Sequence, residues 1–200
     1  MKFKEYKMLF ESFDEFNSLD IKKLAKYIDK NDDFSKSYLM GRFADSKFIK
    51  TLKPVCRGEI ILDNRELLSP IIRGIGTPIT DNHISASAFS RSKSKSIGLV
   101  YEYKGKANGI YVPSIYDAIM KLSDDELQHI GFDKNHIAWR KMVEDNETLL
   151  MDNIELEPVY INSNNVKNTN KLLERYGYEL PSNAKDNKLI PISELIEIVQ

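Results

Sequence analysis

The chain has 200 residues, of which 42% are apolar and 30% charged, and its net charge is −1. This length suits one compact domain, and the near balance of charges argues against a nucleic-acid binder held by bulk charge. The chain has one cysteine, which excludes an internal disulfide and a cysteine-rich zinc site. It shows no secretory signal and no long apolar run, so we expect a soluble intracellular protein.

The first fifty residues have the apolar spacing that is typical of helices. Aromatic and aliphatic side chains recur at helical intervals among acids and lysines, which predicts helices over residues 21–29 and 35–50. We therefore expect residues 1–50 to form a helical portion and residues 51–200 to form the core of the same domain.

From residue 54 onward, short apolar segments alternate with turn residues. Strands are predicted at 54–62 (interrupted at Gly58), 83–89, 97–103, 109–112, 147–150 and 154–161. Short helices are predicted at 116–122 and at 124–130, the second with Ser123 as its cap. This order predicts an α+β fold with mixed or antiparallel sheets, and no glycine-rich phosphate loop of the Rossmann or Walker kind is present.

Arg57 and Gly58 form the first of three segments with chemical potential. An arginine on a strand next to a glycine offers a planar fork of donors that can grip a diphosphate in bidentate fashion. By itself, the pattern is more typical of an edge-strand arginine in a salt bridge.

Ser85 and Ser87 form the second segment. If residues 83–89 are a strand, alternation directs both hydroxyls to one face, where they can contact a ribose or orient a carboxylate. A polar strand edge is the simpler interpretation. Phe89 follows, and it either stacks on a nicotinamide ring or, as we favour, packs in the core.

Asp145 and Glu147 form the third segment, immediately before an apolar strand. Two carboxylates on one face repel each other, so that one of them titrates at a higher pH and suits acid–base chemistry. A charged turn before a strand is the simpler interpretation of this segment taken alone.

Taken in order over residues 50 to 162, the three segments resemble the Arg–Ser–Glu class of mono-ADP-ribosyltransferases, and are most similar to the small members of tailed phages. The resemblance implies a split sheet core with a non-Rossmann NAD+ cleft. It implies that Arg57, with Gly58 beside it, holds the phosphates of NAD+ and that Ser85 and Ser87 orient the substrate. It further implies that Glu147 binds the 2'-hydroxyl of the nicotinamide ribose.

The same resemblance bears on the acceptor. Asp145 stands where arginine-modifying members usually have Glu, so the acceptor type stays open, with arginine favoured. Residues 131–143 correspond to the target-recognition loop, with Trp139 as its anchor and Arg140 beside it. Core packing is an equally good interpretation of Trp139.

A second placement of the catalytic acid stays open, because Glu155 and Glu157 form a literal Glu-x-Glu. We favour Glu147, since an apolar strand, a turn and another strand follow it, whereas Glu155 and Glu157 are expected to alternate outward on that next strand. Cys56 next to Arg57 suggests a reactive thiol, but a buried structural cysteine is the favoured interpretation.

The expected activity is transfer of ADP-ribose from NAD+ to a host protein in a bacterial cytoplasm, for example one of the transcription or translation machinery. The resemblance leaves a nucleic-acid acceptor, a toxin role and NAD+ hydrolysis open, and a non-enzymatic phage binding protein is the rival class. No metal and no membrane contact are expected. The residues around Leu9–Glu11 resemble a phage prohead protease site, which suggests packaging in the virion.

Overall fold

The structure is a computed structural model that describes residues 20, 22–23, 26, 32–43, 47–61, 67–91, 96–130 and 146–198. It has a mixed α+β architecture with antiparallel sheets. The chain divides into two compact units, one formed by residues 1–50 and 110–149 and the other by 51–109 and 150–200. The division expected at residue 50, into a helical portion and a core, stays a prediction.

The first unit contains the helices α1 (Asp33–Phe43), α3 (Val112–Ile119) and α4 (Asp124–Ile130). The helix predicted over residues 35–50 is too long, because α1 ends at Phe43 and a strand, β1 (Ile49–Leu52), follows. The helix predicted over residues 21–29 lies largely outside the described residues. A helical N-terminal portion is therefore not evident.

The predicted cap of α4 is confirmed. The backbone N–H of Glu126 donates to the Ser123 hydroxyl over 3.3 Å, and the Glu126 carboxylate accepts from the backbone N–H of Ser123 over 2.7 Å. This reciprocal pair is a capping box, which satisfies donors that a helix start otherwise leaves unpaired. The Glu126 carboxylate accepts hydrogen bonds from both the backbone N–H and the hydroxyl of Ser123, and these two bonds lower its pKa.

The second unit is built on an antiparallel sheet with the strand order β10-β8-β5-β2, and β3 also pairs with β8. We call this the central sheet. Its strands are β2 (Val55–Ile61), β3 (Ile71–Arg73), β5 (Ile97–Tyr103), β8 (Ile154–Ser163) and β10 (Lys188–Pro191). The predicted strand 97–103 is confirmed, and the strand predicted at 54–62 is continuous through Gly58.

The main core lies against one face of the central sheet. Alternate side chains of β2 and β5 enter it, among them Val55, Leu99 and Tyr101, together with Leu156 from β8. The helix α5 (Val166–Leu173) contributes Leu172 and Leu173, which its amphipathic spacing places on one side.

Residues 83–89 form a helix, α2 (His83–Phe89), where the sequence predicts a strand. Asn82 caps it by accepting from the backbone N–H of Ser85 over 2.7 Å, and alanine has the highest helix propensity. The helix crosses the face of the central sheet opposite the main core. A Cβ on Gly58 would lie 1.9 Å from the carbonyl oxygen of Ala86, and one on Gly98 would lie 1.8 Å from that of Ser90. These two glycines give the helix its close approach to the sheet.

The remaining strands complete two smaller sheets. One has the order β1-β6-β7-β4, and the other pairs β11 with β9. Their further strands are β4 (Pro78–Ile79), β6 (Ala107–Tyr111), β7 (Thr148–Leu150), β9 (Tyr178–Glu179) and β11 (Ile196–Glu197). None of the helices in the described ranges has the length and apolarity required to cross a membrane.

Candidate functional site

Arg57 lies in the middle of β2, the last strand of the central sheet, and about a quarter of its side chain is exposed. Its Nε donates to the carboxylate of Glu59, and its Nη1 donates to the carbonyl oxygen of Pro78 over 2.5 Å. Both contacts hold the guanidinium in place. Arg57 therefore forms a salt bridge, as the simpler interpretation of its sequence pattern predicts. A diphosphate that binds Arg57 would share the guanidinium with Glu59.

A second arginine meets the same carboxylate. Arg73 on β3 donates from Nε and Nη2 to Oε1 of Glu59, over 3.1 and 2.9 Å. Burial raises the pKa of the Glu59 carboxyl, but the charges and hydrogen bonds of the two guanidinium groups outweigh it, so that the pKa lies below its ordinary value. We call Arg57, Glu59 and Arg73 the arginine cluster, which carries one excess positive charge.

The serine segment lies on α2 and not on a strand. The Ser87 hydroxyl donates to the carbonyl oxygen of Ile84 over 2.7 Å, a contact within the helix. Residues two apart in a helix are about 200° apart around its axis, so Ser85 and Ser87 do not share a face. Phe89 is 45% exposed, and its interpretation as a core residue is wrong.

The structure does not bring Arg57 and the serine segment together. Because side chains alternate along a strand, Arg57 and Gly58 face opposite sides of β2, and α2 packs on the Gly58 side. The segment that adjoins the strand is Pro78–Thr80, where Thr80 exchanges backbone hydrogen bonds of 2.8 and 2.9 Å with Cys56. The sequence analysis does not single out this segment. A signal was present, because Asn82, two residues after Thr80, is a typical capping residue and marks the start of α2.

Glu147 directly precedes β7, and its carbonyl oxygen accepts from the backbone N–H of Val112 over 3.1 Å. It is partly buried and belongs to the first unit, whereas the arginine cluster and α2 belong to the second. Asp145, Trp139 and Arg140 lie outside the described residues.

The rival acids Glu155 and Glu157 lie on β8. Both are exposed, whereas Ile154 and Leu156 between and before them are buried. The outward alternation predicted for this strand is therefore confirmed. The choice between Glu147 and Glu157 as catalytic acid stays a prediction.

Cys56 is fully buried between the central sheet and α2. Burial raises the pKa of its thiol to about 12, and the negative charges of Glu102 and Asp81 act in the same direction. A thiol with this pKa stays protonated at neutral pH, so the reactive-thiol interpretation is wrong and the buried cysteine is confirmed.

Comparison of the chain with models of protein families, with curated proteins and with solved structures gives no match.

Proposed function

We propose that this chain is a mono-ADP-ribosyltransferase that moves ADP-ribose from NAD+ to a macromolecule. The observation that carries the proposal is the arginine cluster: two guanidinium groups share one carboxylate at the arginine that the sequence singles out. The cluster has one excess positive charge, which suits a diphosphate, and guanidinium groups bind phosphate oxygens bidentately. Five of its ten guanidinium N–H groups already donate to Glu59 and to the carbonyl oxygens of Ile72 and Pro78. The order of Arg57 and Glu147 along the chain supplies the second argument.

In this proposal, Arg57 and Arg73 hold the diphosphate of NAD+. Glu59 keeps both guanidinium groups oriented before the substrate arrives, which lowers the entropy lost on binding. Since α2 lies on the other side of β2, Ser85 does not share the contact to the diphosphate.

Glu147 acts at the nicotinamide ribose. Its carboxylate accepts from the 2'-hydroxyl and stabilises the positive charge that builds on the ribose as the glycosidic bond breaks. The electron pair of that bond leaves with nicotinamide. A lone pair of the acceptor then forms the new bond to the anomeric carbon, and the proton of the acceptor passes to solvent.

The acceptor is proposed to be a host protein in a bacterial cytoplasm, with arginine favoured. Asp145 is one methylene shorter than the glutamate usual at that position, so it reaches less far towards a guanidinium acceptor. The transcription and translation machineries are the first targets to examine.

The test is incubation of the full chain with biotinylated NAD+ and bacterial lysate. We expect wild type and Glu157→Ala to label macromolecules and Glu147→Ala to lose the label, with circular dichroism confirming that each variant is folded. Loss of label in Glu157→Ala alone would overturn the assignment of Glu147.

Two further outcomes address the activity as a whole. Nicotinamide release without any labelled macromolecule would replace transfer with NAD+ hydrolysis. If neither turnover nor a thermal shift with NAD+ is observed, the proposal is rejected in favour of a non-enzymatic binding protein. Mass spectrometry of the labelled species identifies the acceptor and the modified residue.

A further inference from the structure

A thiol, an imidazole and a carboxylate meet on the face of the central sheet that α2 covers. One potential ligand atom from each of Cys56, His83 and Glu102 lies within 4.8 Å of the others. We call these residues the thiol–imidazole cluster. We propose that it is a site for a divalent transition-metal ion of the zinc type, separate from the arginine cluster on the opposite side of β2.

The fold explains why these residues converge although the sequence separates them. Cys56 and Glu102 are direct cross-strand partners of β2 and β5, so their side chains leave the sheet on the same face. The Asn82 cap fixes the start of α2, and His83 is its first residue. The imidazole packs edge-on against Tyr160 of β8, with 4.8 Å between the ring centroids.

The ligand set suits zinc. Thiolate, imidazole and carboxylate are the ligands Zn²⁺ uses, and three of them leave a fourth tetrahedral position open to water. Bonds of about 2.0–2.3 Å to a tetrahedral ion place its ligand atoms about 3.3–3.6 Å apart. Nε2 of His83 and Oε2 of Glu102 are now 2.5 Å apart and hydrogen-bonded. When a metal ion binds, these two atoms move apart by about 1 Å, and their bonds to the ion replace the hydrogen bond.

A buried hydroxyl provides an independent observation. The Oγ1 of Thr80 is buried and has no hydrogen-bond partner in the part of the chain that the structure describes. Thr80 is the bridge partner of Cys56, so its side chain lies on the same face as the cluster. Buried hydroxyls are nearly always hydrogen-bonded, and a water on the fourth metal position would supply the missing partner.

The electrostatic environment also favours a cation. Glu102 and Asp81 place negative charge near Cys56. The titratable groups on this face are the carboxylates of Glu102 and Asp81, the His83 imidazole, the Tyr160 phenol and the carboxylate of Glu157, which is the cross-strand partner of Glu102. Metal binding displaces the thiol proton to solvent, so the affinity should rise with pH.

The site has a way in from solvent. Cys56 is inaccessible, but 28% of the His83 side chain and 15% of the Glu102 side chain are exposed. An ion therefore reaches the imidazole and carboxylate first, and the thiol closes the coordination from the protein side.

The experiment is a Co²⁺ titration of the full chain after removal of metals with a chelator. Because Cys56 is the only cysteine, a near-ultraviolet thiolate-to-cobalt band reports on this site alone. We expect the band to appear with wild type, to be removed by Zn²⁺, and to strengthen from pH 6 to pH 8.

Three variants decide the assignment. Cys56→Ser should abolish the band, and His83→Gln should weaken Co²⁺ binding at least about tenfold. Glu155→Gln, an exposed carboxylate on β8, should bind as wild type does. If folded wild type gives no band, or if His83→Gln binds Co²⁺ like wild type, the cluster is an ion pair beside a buried thiol and the proposal is overturned.

Discussion

Strand β2 turns Arg57 and Glu59 to one side of the central sheet and Cys56 and Gly58 to the other. On the first side, two guanidinium groups converge on one carboxylate and leave an excess positive charge. On the second side, Glu102 and Asp81 place negative charge near a buried thiol. One seven-residue strand therefore separates a site suited to anions from a site suited to cations.

The two sides also differ in how they are covered. On the side that also faces the main core, Arg57 and Glu59 are held by polar contacts between side chains and to the carbonyl oxygen of Pro78. The other side is covered by a helix whose backbone meets the strand at Gly58, where no side chain fits. Backbone packing at Gly58 should therefore contribute more to stability than the ion pairs of the arginine cluster, and four substitutions test this expectation in order of decreasing effect.

Gly58→Ala should have the largest effect on stability. The new Cβ would lie 1.9 Å from the carbonyl oxygen of Ala86, so α2 must move away from the sheet. We expect a loss of about 3 kcal/mol in the free energy of unfolding, measured by urea denaturation. The control is Gly41→Ala in α1, where nothing lies within 4 Å and helix propensity favours alanine. If Gly58→Ala loses less free energy of unfolding than Glu59→Gln, the ion pairs contribute more to stability than the backbone packing, contrary to our expectation.

Asn162→Ala should have the second largest effect. Its side-chain amide donates to the carbonyl oxygen of Ser87 over 2.9 Å and to the hydroxyl of Ser90 over 3.1 Å, joining the end of α2 to β8. Removing a buried donor that serves two acceptors costs about 1–2 kcal/mol. The exposed Asn168→Ala serves as control, and equal melting temperatures for the two variants would contradict the role of Asn162.

Glu59→Gln should cost about 1 kcal/mol at pH 7, because the ion pairs are only partly buried and solvent screens them. The pKa of Glu59 lies below its ordinary value, so its stabilisation is present above about pH 4.3 and is lost as the pH falls through the lower, folded-state pKa. Urea titrations of wild type and Glu59→Gln should show a difference in the free energy of unfolding at pH 7, and this difference should become smaller below pH 4. A difference in unfolding free energy that does not change with pH would show that the charge of Glu59 contributes nothing to stability.

Ile84→Ala should have the smallest effect. This side chain on α2 is 80% exposed, so its removal is expected to change the free energy of unfolding by less than about 0.5 kcal/mol. The matched substitution on the covered side of the same helix is Ala86→Val, which enlarges a fully buried residue against the sheet. Similar thermal unfolding for both variants would mean that α2 does not pack as closely as the glycine contacts indicate.

Several features of the fold could be predicted from local signals. The strand 97–103 has a continuous apolar run closed by a polar turn, and its limits are those of β5. The alternation of Ile154, Glu155, Leu156 and Glu157 predicts the buried and exposed positions at the start of β8, because a strand has a period of two. The cap at Ser123 is likewise a local pattern.

The candidate site was harder to predict. Arg57 could be singled out, but its partner Arg73 is fourteen residues from Glu59 and enters only through the pairing of β3 with β8. The strand predicted at residues 83–89 is wrong because a seven-residue stretch with four small residues at its centre fits both a strand and a helix, and periodicity does not separate them at this length.

The sequence by itself determined the α+β class with mixed or antiparallel sheets, the limits of β5 and the outward direction of Glu155 and Glu157 on β8, since each follows from the order of neighbouring residues. The tertiary structure decided that residues 83–89 form a helix, because Gly58 and Gly98 have no side chains and so allow the helix to pack closely on the sheet. It also decided that Cys56, His83 and Glu102 meet, since contacts between residues far apart in the chain arise from strand pairing and helix packing and not from local propensity.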